Sequence, residues 1–360
     1  MSGRDRPPST GSWRGLSRAE VAATAQAIVS QQLPTGMIPW FHDGHSDPWN
    51  HVEALMALVV AGRVEEADAG YEWLARTQHA NGAWYHYYLS DGIESARLDA
   101  NVCAYVAAGA WHRHVALDDL DTLRRMWPMV EAAIEFVLGL QQPSGEITWC
   151  IEPDGTRGEF ALLTSSSSIY FSLRCALAMA EALGEERPHW ELSAARLGNA
   201  VSHRPELFEP KDRWAMDWYY PVLCGALTGS QARERMKHGW ETFVMDGLGV
   251  RCVSDRPWTT AAETAECALA LDHCGMTDEA REMFSWIGYL RNDDGSYFTG
   301  MVHPDRVTFP GNERSTYTAA VVILADDAFY GSSPTSGFFA GDGLPEIVEI
   351  DLDGDLGAKR

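Results

Sequence analysis

Carboxylates, aromatic rings and amides crowd together at six places in this chain. The first is Pro39-Trp40-Phe41-His42-Asp43-Gly44-His45-Ser46-Asp47-Pro48-Trp49-Asn50-His51, followed by Glu53. The second runs from Trp84 to Tyr88 and on to Glu94, Arg97, Asp99 and Asn101. The third holds Trp149, Glu152, Asp154 and Ser165 to Ser168, and the fourth Trp214, Asp217, Trp218, Tyr219 and Tyr220. The fifth holds Arg251, Asp255, Arg256, Trp258, Thr259, Thr260, Glu263 and Glu266; the sixth holds Tyr297, His303, Glu313, Arg314 and Tyr317. Such sets suit a sugar. Rings stack on the apolar faces of a pyranose, and carboxylates bind pairs of hydroxyls. Two carboxyl groups flanking a glycosidic bond can cleave it by acid/base catalysis.

Asp47 and Glu263 are the candidate catalytic pair. Glu263 would be the general acid, since an acid facing an apolar interior has a raised pKa. Asp47 would be the base that activates water, and the two roles are exchangeable. Each has a plainer reading. Asp47 precedes Pro48 and suits a helix N-cap; Glu263 suits a first turn through the helix dipole. Asp99, Asp217 and Glu313 are candidate hydroxyl binders. So are His42, His45, Asn50, His51 and Tyr219, while Trp40, Trp49, Trp84, Trp218 and Trp258 are candidate stacking surfaces. No metal is expected, because no two histidines share an i, i+4 helix face beside an acid. The seven cysteines are scattered with no C-x-x-C pair and read as buried thiols. No cofactor is expected.

The elements that must position these groups are helices. Pro48 to Arg63 has helical apolar spacing, with Asp47 as cap and Pro48 in the first turn. Val64 to His79 follows as a more polar helix, with Gly62 between. That alternation recurs. Apolar helices begin near Asp47, Asp99, Ser167, Asp217, Glu263 and Ser315. Amphipathic ones cover about 64–79, 120–141, 189–201, 231–243 and 278–291, and Ser17 to Gln32 supplies a sixth, with a Ser17/Glu20 capping box. Helices apolar all round belong inside and amphipathic ones outside. The expected fold is therefore all-α, an (α/α)6 toroid of six inner and six outer helices, rather than an open solenoid. It would occupy residues 17–330 as a single domain, between a disordered N-terminus (1–16) and an acidic, partly ordered C-terminal tail (331–360). The candidate groups would meet at the rim where the inner helices start.

Composition narrows the partners. Twenty-eight Lys and Arg stand against 51 Asp and Glu, a net charge of -23. Nucleic acid and anionic membrane surfaces both need clustered cations, and neither is expected as a partner. Fourteen tryptophans fit a neutral ring-shaped substrate better than a phosphorylated one. The polar start of the chain has no apolar secretory core, and no apolar run reaches about 18 residues, so a cytoplasmic protein is expected. The sequence does not fix an oligomeric state.

A second repeat follows the outer helices: an apolar pair, three residues, a Gln, three residues, then Gly-x-aromatic. Trp73-Leu74, Gln78, Gly82 and Trp84 fit fully; Phe136-Val137, Gln141, Gly145 and Ile147 nearly so. Trp286-Ile287, Gly295 and Tyr297 fit with Arg291 for Gln, and Ile28, Gln32, Gly36 and Ile38 fit loosely. The glycine would cap the helix in a left-handed turn, and the Gln would bond orphan helix carbonyls. This spacing resembles the QW repeat of terpenoid cyclases, and the toroid resembles theirs and that of protein prenyltransferase β subunits. The chain departs from their chemistry. It has no Asp-x-Asp-Asp run, since Asp118-Asp119-Leu120-Asp121 has another order.

The toroid and its rim also resemble the six-hairpin glycosidases. Two segments, His45-Ser-Asp47-Pro-Trp49-Asn50-His51-Val-Glu53-Ala and Trp258-Thr-Thr-Ala-Ala-Glu263, resemble the mycobacterial enzymes that cut methylmannose polysaccharide. That resemblance implies an endo-α-1,4-mannosidase acting on a partly O-methylated mannan. The partner expected is thus an oligosaccharide or polysaccharide. A terpenoid cyclase or prenyltransferase-like protein, or a non-catalytic glycan-binding protein, is the alternative.

Overall fold

The computed structural model describes residues 15–331 and 333–348. Its helices are α1 (Arg18–Val29), α2 (Pro48–Val60), α3 (Val64–Thr77), α4 (Ala100–Ala104), α5 (Val106–Leu117), α6 (Leu120–Leu138) and α7 (Leu163–Leu183). There follow α8 (Pro188–His203), α9 (Ala215–Leu223), α10 (Gly229–Phe243), α11 (Ala261–His273), α12 (Thr277–Ser285) and α13 (Thr316–Tyr330). The apolar members α2, α5, α7, α9, α11 and α13 pack each against the next, and α13 packs against α2. The amphipathic members lie outside them, with α1 against α13, α3 against α2 and α6 against α5.

Two boundaries differ from the sequence reading. Helix α7 starts at Leu163, four residues before Ser167, and carries Ser165 to Ser168 inside the core. Serine is a poor interior helix residue unless its hydroxyl returns to the preceding turn. Ser167 donates to the Leu163 carbonyl and Ser172 to that of Ser168. The second inner helix breaks at Tyr105 between α4 and α5.

The fold is also not purely helical. The loops at the inner-helix starts form short strands: β1 (Tyr87–Leu89), β2 (Gly92–Ser95), β3 (Leu98–Asp99) and β4 (Cys150–Ile151). Further strands are β5 (Val244–Met245), β6 (Gly249–Arg251), β7 (Trp258–Thr260), β8 (Gly300–Val302) and β9 (Val307–Thr308). Strands β5 to β9 make one antiparallel sheet in chain order; β1 pairs with β2, and β3 with β4. Segments of two to four residues carry too little alternation to read as strands.

The QW-like repeat is a tie between neighbouring outer helices. Gly36, Gly82, Gly145 and Gly295 all have positive φ, from +87° to +110°. Each faces the backbone of another outer helix, where no Cβ fits. A Cβ on Gly82 would lie 2.0 Å from the Ala132 carbonyl oxygen of α6, and one on Gly295 2.5 Å from Ala23 of α1. The glutamines do more than cap their own helix. Gln32, Gln78 and Gln141 donate to the local glycine carbonyl and to Glu66, Met129 and Ser193 on the next outer helix, at 2.8–3.0 Å.

Part of the expected tail is packed. Phe338 is buried against His112 and Phe171, and the His273 ring bonds the Phe339 carbonyl. The expected disordered start falls almost wholly outside the described residues, as does the acidic run from Asp351 to Asp355.

The glycine tie makes a prediction. Gly82→Ala should cost about 2 kcal/mol or more, combining left-handed strain with a backbone clash. Gly62 also has positive φ, +76°, but a Cβ there meets nothing within 4 Å. Gly62→Ala should therefore cost only about 1 kcal/mol of strain. Chemical denaturation of both variants checks the difference; equal losses would contradict it.

Candidate active site

A cavity of about 480 Å³ opens at the inner-helix starts, lined by Trp40, Asp47, Trp49, Asn50, Asp99 and Asp217 among others. Its three carboxylates are held differently. Asp47 caps α2 and accepts from the Asn50 backbone N–H at 3.0 Å, the Asn50 amide at 2.7 Å and the Trp40 indole at 2.6 Å. Three donors fix the orientation of this buried carboxyl. The N-cap reading of Asp47 therefore holds, and the same carboxylate also faces the cavity.

Asp99 caps α4 through one oxygen, to the Val102 N–H at 3.1 Å. Burial raises its pKa, while the nearby His86 and local backbone N–H groups pull it down; the Asp47 charge adds to the rise. Asp217 accepts from the Thr164 hydroxyl at 2.6 Å, which ties the starts of α7 and α9. Its pKa is also raised by burial, against that bond and the charges of Arg235 and Lys211.

Glu263 sits half-buried in the first turn of α11 and does not line this cavity. Its carboxyl accepts from Thr260, and its charge is felt by Tyr317. The Tyr317 ring lies 4.9 Å from that of Trp40, edge to face, and Trp40 in turn holds Asp47. Asp47 thus contacts Trp40 directly, whereas Glu263 acts on Tyr317 only through its charge.

The other predicted residues divide. His45 stacks on Tyr87 at 4.2 Å and bonds Glu94 at 2.8 Å. Glu313 accepts from Thr299 at 2.8 Å; burial raises its pKa, with the Thr299 bond and His45 opposing. His42 is exposed beside Asp43. Trp258 lies on β7 against Phe309, outside the cavity lining. Trp84, Trp218, Tyr219 and His51 are core groups, which corrects the sequence expectation. Trp84 is 0% exposed and bonds the Leu74 carbonyl; Trp218 stacks on Phe243 and bonds the Arg235 carbonyl. A ring with no exposed face cannot stack on a sugar. His51 accepts from the Ile38 N–H and contacts the Gly70 carbonyl, with burial pulling its pKa down to about 4.

Sequence reasoning missed Val102, Leu162, Thr164, Lys211 and Met216, which also line the cavity. Lys211 was the findable one, since the chain has only three lysines and this one stands three residues before Trp214. The aliphatic residues carry no chemical signal.

Below the cavity, Trp49 is edge-on to Tyr105 and Tyr220. Under it lie two buried acids, Glu53 and Glu266, lining one small chamber. Tyr219 and Tyr220 both donate to Glu266, the latter at 2.9 Å. Burial lifts Glu266 to a pKa of about 7, against those tyrosine bonds and with the Glu263 charge assisting. Burial and then the Glu266 charge hold Glu53 well above the carboxylate range.

No family model matches the chain. A protein of Mycolicibacterium hassiacum, MMP endo-(1,4)-3-O-methyl-alpha-D-mannosidase, is 48% identical over 338 residues, 94% of this chain and 94% of the relative. The chain belongs to the family of this mannosidase. It is a glycoside hydrolase, and the terpenoid alternative is not favoured. A glycosidase solved with glucose matches the mannosidase-family chain with TM-score 0.69 and 13% identity, covering 88% of this chain and 99% of that one. An α-amylase from Clostridium perfringens matches with TM-score 0.64 and 12% identity, covering 86% and 98%. A D-mannose isomerase matches with TM-score 0.62 and 11% identity, covering 86% and 97%. At such identities these structures speak to the fold alone. Among the described residues, no helix is long and apolar enough to cross a membrane.

The buried acids give a pH prediction. Folding lifts Glu266 from its ordinary 4.5 to about 7, so its stabilising contribution is present below 4.5 and lost as pH rises through 7. Glu266→Gln stays neutral and should lose less thermal stability than the wild type between about pH 5 and about pH 8. Calorimetry at constant ionic strength reads this, and parallel curves for the two proteins would contradict it.

Proposed function

We propose that this mannosidase-family chain is an endo-acting α-1,4-mannosidase of a 3-O-methylated mannan, working at the inner-helix rim of an (α/α)6 toroid that spans residues 17–330. The observation that carries the reading is the 48% identity, along 94% of both chains, to an endo-(1,4)-3-O-methyl-α-D-mannosidase. The carboxylate- and aromatic-lined cavity supports it. So does the packing of α13 back onto α2. The polymer is the partner we propose, with neither nucleic acid nor membrane involved, and the cytoplasm is the compartment.

In the mechanism we favour, Asp47 takes a proton from water as the water oxygen bonds the anomeric carbon. Glu263 gives its proton to the departing glycosidic oxygen, and the configuration inverts. The three donors to Asp47 hold its carboxyl oxygens in place on the cavity wall, which suits it to be the base. One observation favours a second reading for the acid. Asp99 lines the same cavity as Asp47, and burial raises its pKa.

Leaving-group ability separates the two acids. Asp47→Asn should lower kcat by about 10²–10⁴ on natural oligosaccharide and on an activated aryl α-mannoside alike. The acid variant should lose comparably on the oligosaccharide but keep most activity on the aryl substrate, whose leaving group needs no proton. Glu263→Gln showing that rescue supports the first reading; Asp99→Asn showing it instead supports the second. Near-native turnover in Asp47→Asn and Glu263→Gln together would overturn the pair.

A further inference from the structure

Three residues of the cavity wall differ in kind from the others. Trp40, Trp49 and Tyr87 offer flat rings, while Asp47, Asn50 and Asp99 offer polar atoms. Val102, Leu162 and Met216 are aliphatic, yet they line the same space. They stand beside the carboxylates. Val102 donates its N–H to Asp99. Leu162 is the N-cap residue of α7 and Met216 lies in the first turn of α9, on either side of the Thr164–Asp217 bond.

A sugar hydroxyl pressed on these side chains would lose its water and gain no partner, which is unfavourable. A methyl ether in the same place keeps no donor to satisfy and buries its methyl group. The flat rings suit the pyranose faces. The aliphatic wall suits a substituent that projects from the ring next to the hydroxyls held by Asp99 and Asp217.

We propose that Leu162 and Met216, with Val102, form the pocket for the O-methyl group of a methylated mannose unit, and so determine selectivity for methylated over plain mannan. This rests on the mannosidase reading above.

The test compares kcat/KM for a 3-O-methylated and an unmethylated α-1,4-mannotetraoside in the full-length wild type, Leu162→Asn, Met216→Gln and Met216→Leu. The ratio of methylated to unmethylated should fall about tenfold in Leu162→Asn and Met216→Gln, as expected for the loss of one apolar contact, and should hold in Met216→Leu. A ratio within about twofold of wild type in both polar variants overturns the pocket, whether each variant loses activity on both substrates equally or on neither. A wild-type protein that cleaves neither tetraoside overturns the parent reading and this inference with it, and shows as much before any variant is compared.

Discussion

The arrangement stands on one repeated contact: a left-handed glycine pressed against the backbone of a neighbouring outer helix. At Gly82 the approach leaves no room for a Cβ, and the Gln four residues earlier bonds both its own turn and the facing helix. The contact fixes the spacing of the outer helices. Each outer helix backs an apolar inner one, so the spacing also sets where the inner-helix starts point. The last of these contacts, Gly295 on Ala23, joins the end of the repeat to its beginning. The carboxylates that cap α2 and α4 are carried to the same cavity by this geometry, although 52 positions separate Asp47 from Asp99 in the chain.

Capping and cavity chemistry are linked in Asp47. One oxygen accepts a helix N–H, and the other is held by Trp40 and Asn50. The side chain that starts the helix is thereby fixed as an acceptor on the cavity wall. Asp99 uses one oxygen for its cap, and burial raises its pKa.

Much of the helical plan was legible because it repeats. The alternation of apolar and amphipathic segments gave the inner and outer sets, and Gly36, Gly82, Gly145 and Gly295 marked the turns between them. The rim was legible as a collection of types but not as a surface. Trp84 and Trp218 look like Trp40 and Trp49 in sequence; which way a ring faces depends on helix rotation and on the partner it finds across the fold. The reverse case is Leu162 and Met216, apolar residues at helix starts that carry no chemical signal in sequence and yet line the cavity. The β5–β9 sheet escaped notice because its strands are too short to show alternation. The start of α7 was set near Ser167 rather than at Leu163, because the back-bonding that makes serine tolerable inside a helix is invisible until the helix exists.

The central claim is that this fold brings carboxylates around an internal linkage of a methylated mannan. Timed digestion of a 3-O-methylated α-1,4-mannan in ¹⁸O-labelled water, followed by mass spectrometry, tests it most directly. Mid-length oligosaccharides should appear early, each with one ¹⁸O at its new reducing end. An intact polymer, or release of monosaccharide alone, would contradict it.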